Sequence, residues 1–224
     1  HLAWDAGIKL GHRTHRVEEL YEASNQDLSI KTAMLESRFL CGSKLLWMET
    51  ERELLMIQKN DQKRVIMQIL EAHQQRREKY PLNMEPNIKE GVGGLRDANT
   101  LSWICKVLFG SIRVRDLVPQ RIDEEEYKEF RSALEFLYRV RSALHLSAKK
   151  KQDVLNLEFI PDVAQKLGLE NKLFKNAQMQ LSSKTLSSMH TIDITCQIFI
   201  RKLTACVLYE PTRLGLLRKG RIEK

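Results

Sequence analysis

Residues 85–97 read Glu-Pro-Asn-Ile-Lys-Glu-Gly-Val-Gly-Gly-Leu-Arg-Asp, gathering three glycines, a lysine, an arginine and three acids at the mouth of an apolar, helix-period segment. Gly91, Gly93 and Gly94 permit positive φ and close backbone approach, and a helix opening near Leu95 or Arg96 presents unpaired N–H groups suited to an anion. Lys89 and Arg96 flank the glycines and can hold a triphosphate or the charge that develops on one. The stretch is not a Walker A loop, because no Gly-Lys-Ser/Thr follows a four-residue gap. The same residues also suit a tight structural corner in which Lys89 and Arg96 pair with Glu85 and Asp97. Both readings stand on spacing alone.

Three other groupings carry possible chemistry. Arg141 falls on the apolar stripe of a helix with His145 one turn on, and a guanidinium there demands a carboxylate partner. Glu36, set among Thr32, Ala33, Phe39 and Leu40, is the candidate, which makes structural ion pairing the favoured role for Arg141. His12 and His15 sit three apart on an apparent strand and point to opposite faces, a poor metal pair, although His12 after Gly11 can face a site. Gly42-Ser43 followed by Glu49, Glu51 and Glu53 superficially matches a nucleotidyltransferase metal site. The helical pattern of Leu45, Leu46, Leu54 and Leu55 turns alternate glutamates about 200° apart and removes that reading.

The elements that must position these groups are mostly helical. Ile8 to Val17 is the one plausible strand. Asp27 caps a predicted helix running to about Cys41 with Gly42 as its stop, and a charged helical stretch follows from Lys44 to about Lys79, broken near Asn60-Asp61. Arg96 to Phe109 is a helix closed by Gly110, Asp123 to Ala148 is the strongest helix, and Leu173 to Tyr209 carries a seam of Met189, Ile192, Cys196, Phe199, Leu203 and Cys206. The expected architecture is mainly α: a helical bundle over 27–224, preceded at 1–26 by a small strand-bearing piece.

Composition narrows the function classes. A net charge of +8 spread among acids, without a basic run, leans toward a nucleotide or acidic partner and argues against general nucleic-acid binding. Cys41, Cys105, Cys196 and Cys206 lack metal-ligand spacing and read as reduced core thiols of a cytoplasmic protein. No run reaches the roughly 20 apolar residues that span a bilayer, and the first residues lack the plan of a signal peptide.

Four segments, in order, resemble the bacterial protein-PII uridylyltransferase/uridylyl-removing family: Trp4-Asp5-Ala6-Gly7 with Gly11-His12; Asp27-Leu28 with Leu35 to Gly42; Glu85 to Asp97; and Phe136 to Leu146. The related glutamine-synthetase adenylyltransferases have a similar Lys-x-Gly-x-Gly-Gly-Ile-Arg turn. The resemblance implies a nucleotidyltransferase of the polymerase-β type that moves UMP from UTP, with Mg²⁺ on an Asp-x-Asp pair, to a tyrosine of a PII nitrogen-signalling protein. This chain contains no Asp-x-Asp, so residues 1–26 match the end of such a catalytic domain and the catalytic pair is expected outside the chain, leaving this fragment inactive alone. By the same resemblance Lys89, Gly93, Gly94, Arg96, Asn87 and His12 are expected near nucleotide, while the residues themselves point to structural ion pairing for Glu36, Arg141 and Asp97. A regulatory or PII-docking helical module, and an adenylyltransferase acting on glutamine synthetase, are the alternatives.

Overall fold

The computed structural model describes residues 11–170 and 176–208 of the 224-residue chain. The described residues divide into two compact units, the first ending at Asn60 and the second beginning at Asp61.

In the first unit, α1 (Leu20–Gln26), α2 (Leu28–Leu35) and α3 (Lys44–Lys59) pack around Ala23, Ile30, Met34 and Ile57, with Leu20 and Leu54 against them. Asp27 caps α2 by accepting from the Ser29 N–H at 2.6 Å, and Ser43 caps α3 by accepting from Leu46 N at 3.3 Å. The helix expected to reach Cys41 stops at Leu35, because Ser37 returns both its N–H and its hydroxyl to the Met34 carbonyl and ends the ladder. The expected strand is not seen: residues 11–16 are irregular, Val17–Glu19 is a 3₁₀ turn, and residues 8–10 lie outside the described residues. Arg13, Thr14 and their neighbours offer no apolar face and meet no partner strand, and a lone polar strand has nothing to hold it. Among the described residues there is no sheet, only an isolated bridge between Asn87 and Val154.

The second unit opens with Asp61 in the left-handed region (φ 50°), a conformation that Asp tolerates better than most residues. There follow α4 (Gln62–Lys79), α5 (Leu95–Phe109), α6 (Glu124–Ala148), α7 (Ile160–Lys166) and α8 (Ala177–Leu208). Gly110 at φ 80° ends α5, and Asp123 caps α6 through the N–H groups of Glu125 and Glu126. The two longest helices run antiparallel: Glu126 meets Lys202, Phe130 lies 6.4 Å from Phe199, and Phe136 lies under Lys184. Their shared core, with Leu137, Leu144, Leu181, Ile192 and Phe199 fully buried, is worth about 1.5–3 kcal/mol per large side chain. Cys105 and Cys196 belong to this core, and burial pushes the Cys105 thiol up to about 12, so both are packing groups and not nucleophiles. Cys41, expected in a core, is exposed in the first unit. No helix among the described residues is long and apolar enough to cross a membrane.

Candidate functional site

The glycine segment folds as a corner that bonds to itself. Asn87 Oδ1 accepts from Lys89 N (3.1 Å) and Glu90 N (2.8 Å), while the Asn87 carbonyl accepts from Gly91 N (2.8 Å). The first turn of α5 is bonded in the same way: Leu95 N donates to Ile88 O, Arg96 N to Lys89 O and Asp97 N to Gly94 O, at 2.9–3.1 Å. Anion capture at a helix start needs free N–H groups, and these are spent on carbonyls. What the corner can still offer a ligand is its side chains.

Its outer edge is fastened to the segment after α6. Ile88 N donates to Asp153 O (2.9 Å), Leu155 N to Pro86 O (3.0 Å), and Glu85 accepts from Leu157 N at 2.8 Å. Its inner edge meets α8. Gly93, at φ 71°, lies so close to the Met189 backbone that a Cβ would fall 2.5 Å from that residue's carbonyl carbon.

Beneath the corner Asp97 is fully buried and collects charge. Its Oδ1 accepts from Arg76 Nη2 at 2.6 Å, its Oδ2 from Gly93 N at 2.8 Å, and Arg77 and His73 lie 3.6 and 3.4 Å away. Arg77 also pairs with Asp193 of α8. The network therefore joins α4, the corner and α8. Because a guanidinium only donates, the 2.7 Å contact from Arg76 Nη2 assigns His73 Nδ1 as acceptor and a neutral ring. Burial holds the His73 imidazole below its ordinary value of 6.5, with Arg76 and Arg77 adding to burial and Asp97 opposing it. Below about pH 6.5 the unfolded chain binds a proton that the folded chain refuses, so stability falls on acidification. Urea unfolding at about pH 7.5 and about pH 5.5 is expected to show this loss in the native protein and a smaller one in His73→Gln. Equal losses in both would remove His73 as its source.

Above the corner lies a second, partly exposed cluster. Arg141 Nε donates to Asp153 Oδ1 at 2.8 Å, with His145 Nε2 3.5 Å from the same oxygen and Lys89 Nζ 3.8 Å from Oδ2. Lys89 and Arg96 share Glu90 at 3.3 and 3.4 Å, and Arg96 lies 6.0 Å over the Trp103 ring. Burial pushes the Asp153 carboxyl up, but Arg141, His145 and Lys89 outweigh it and hold the group below the usual carboxylate value. Four basic side chains thus face two carboxylates, each basic chain between 24 and 36% exposed. Such a surface can meet a further anion without first unfolding anything.

The structure brings together Asn87, Lys89, Gly93, Gly94, Arg96, Asp97 and Arg141. It changes their expected partners. Arg141 pairs with Asp153, a carboxylate twelve residues on that reaches it through local chain geometry, and Glu36, its expected partner, is exposed in the first unit. Lys89 pairs with Glu90 and not Glu85, and Arg96 with Glu90 and not Asp97, because Asp97 points inward to Arg76. His12 is exposed in the first unit. Spacing missed Glu90, Asp153, His73, Arg76 and Arg77; Asp153 was hidden behind Lys149-Lys150-Lys151, a run that reads as solvated. Among the described residues no three His, Cys, Asp or Glu side chains gather as a metal site, and Glu90 and Asp153 are both engaged by cations. These residues do not fit a resident Mg²⁺.

Comparison with known proteins agrees with the segments that build the corner. Bifunctional uridylyltransferase/uridylyl-removing enzymes are similar: that of Idiomarina loihiensis is 36% identical over 172 residues, covering 75% of this chain and 20% of its own. That of Ruegeria pomeroyi is 32% identical over 211 residues (92% and 23%), and that of Bradyrhizobium sp. 34% over 170 (74% and 18%). The chain spans about one-fifth of the length of these curated relatives. No solved structure matches it. The model of the GlnD PII-uridylyltransferase family matches residues 64–200, from within α4, through the corner and both clusters, to α8, and the chain belongs to that family.

Proposed function

We propose that this chain is the helical part of a nucleotidyltransferase that moves UMP from UTP to a tyrosine of a PII nitrogen-signalling protein. Residues 1–26 are then the end of the catalytic domain, and the Mg²⁺-binding Asp-x-Asp pair lies elsewhere in the intact protein. In this reading the corner supports one wall of the nucleotide cleft, and the cluster above it supplies positive charge toward the phosphates. The observation that carries the reading is the excess of partly exposed cations, Lys89, Arg96 and Arg141 against Glu90 and Asp153, with the His145 imidazole beside them, on a corner that lies within the family match. Phosphate contact comes from these side chains and not from the helix start.

The test is kinetic and uses the intact protein. Arg96 is the most exposed of the four basic chains and its one carboxylate contact is a long 3.4 Å, so Arg96→Ala leaves folding nearly unchanged. It is expected to lower kcat/KM for UTP about tenfold or more, through one lost charge-assisted contact. Lys89→Ala is expected to act in the same direction. Full activity of both variants would remove the cluster from the nucleotide site, and preference for ATP with glutamine synthetase as acceptor would replace the uridylyl assignment.

A further inference from the structure

A groove of about 1410 Å³ runs between α6 and α8 in the second unit, on residues to which the proposed transfer assigns no role. Its walls are rich in hydroxyls: Ser183, Ser187 and Ser188 line it from α8. Helical serines and threonines usually return their hydroxyl to the preceding turn, as Ser142 does to Tyr138 and Thr204 to Ile200. Ser188 does not. It is only 8% exposed and lines the groove. Its oxygen stays open on the groove side, where a ligand can reach it.

Two cations converge on the same stretch. Lys184 Nζ stands 4.6 Å from the Phe136 ring centroid, and Arg139, also lining the groove, follows Phe136 by three residues on α6. Neither has a carboxylate partner among the described residues, whereas the neighbouring charges do: Lys128 pairs with Glu125 and Glu135 with Arg131. Two acids also line the groove: Glu135, engaged by Arg131, and Glu129, two helical turns from Phe136. A guanidinium, an ammonium and donor hydroxyls around an aromatic floor form the donor set for an oxyanion.

We propose that the α6–α8 groove binds a small molecule through a carboxylate or phosphate group, held by Arg139 and Lys184 with Ser183, Ser187 and Ser188 completing its hydrogen bonds. The site is separate in residues from the Lys89–Arg96 cluster.

Calorimetric titration of the 224-residue chain with citrate and with pyrophosphate, at about 0.15 M salt so that diffuse attraction is screened, tests it. Binding of citrate alone assigns a carboxylate ligand, binding of pyrophosphate alone a phosphate ligand, and binding of both the shared oxyanion chemistry. In each case Arg139→Gln with Lys184→Gln is expected to weaken binding about tenfold or more, and Ser188→Ala several-fold, while Arg96→Ala leaves it unchanged. Arg139 and Lys184 are exposed, so the double variant keeps its helices, which circular dichroism checks. The proposal fails if neither probe binds, if the double variant binds as the native chain does, or if Arg96→Ala abolishes binding.

Discussion

Gly93→Ala destabilises the second unit by about 2–5 kcal/mol, and most of that loss comes from contact rather than from backbone strain. The residue has φ 71°, where a side chain costs about 1–2 kcal/mol. The new methyl would also overlap the Met189 backbone, 2.5 Å from its carbonyl carbon and 3.0 Å from its Cα. Met189 is buried in α8 and cannot step aside as a flexible side chain would, so the corner and the helix must part, at about 1–3 kcal/mol for an overpacked core. Gly168 separates the two causes. It has nearly the same φ, 70°, yet nothing lies within 4 Å of an added Cβ. Gly168→Ala therefore carries the strain alone, and chemical denaturation of the two variants reads the difference as the price of close approach. Equal losses would show that the corner does not press on α8.

This contact explains why the glycine segment looked equally like an anion cradle and a corner. Spacing announces that a backbone must turn and come close to something; it does not say to what. Here the close neighbour of Gly93 is α8, about a hundred residues downstream, and the N–H groups expected to face a ligand face the carbonyls of residues 88, 89 and 94. Features governed by neighbours in sequence were readable: the cap Asp27, the helix start at Asp123, the break at Asn60-Asp61 and the stop at Gly110 all follow from residues within a turn of their effect. Features governed by distant partners were not. Arg76 and Arg77 close a charged helix and read as solvated, yet their carboxylates lie 21 and 116 residues away. Arg141 was recognised as needing a partner because its stripe is apolar, but the choice of Asp153 rests on the path of the chain through 149–152. The strand expected from alternation between residues 8 and 17 failed for the same reason, since pairing is a long-range property and alternation alone supplies no second strand.

The second large effect falls on Asp97, where removal of the carboxylate strands every group gathered on it. Asp97→Ala leaves Arg76, 12% exposed, with His73 and Thr100 as its acceptors among the described residues, and it leaves the Gly93 N–H without its 2.8 Å bond. A buried pair broken on one side costs about 3–5 kcal/mol, because the surviving charge keeps its desolvation and loses its compensation. The loss should be cooperative with Arg76. Arg76→Met alone removes the charge that most needs Asp97 but leaves Arg77 3.6 Å from the carboxylate, so it costs less than Asp97→Ala. Asp97→Ala with Arg76→Met removes both members and is expected to fall short of the sum of the single losses by about 1–3 kcal/mol in a double-mutant cycle. Arg77 then keeps Asp193 as its partner, which holds α4 to α8. Additive losses would mean that Asp97 acts through the Gly93 N–H and not through charge, and the corner, not the ion network, would then be what couples α4, α5 and α8.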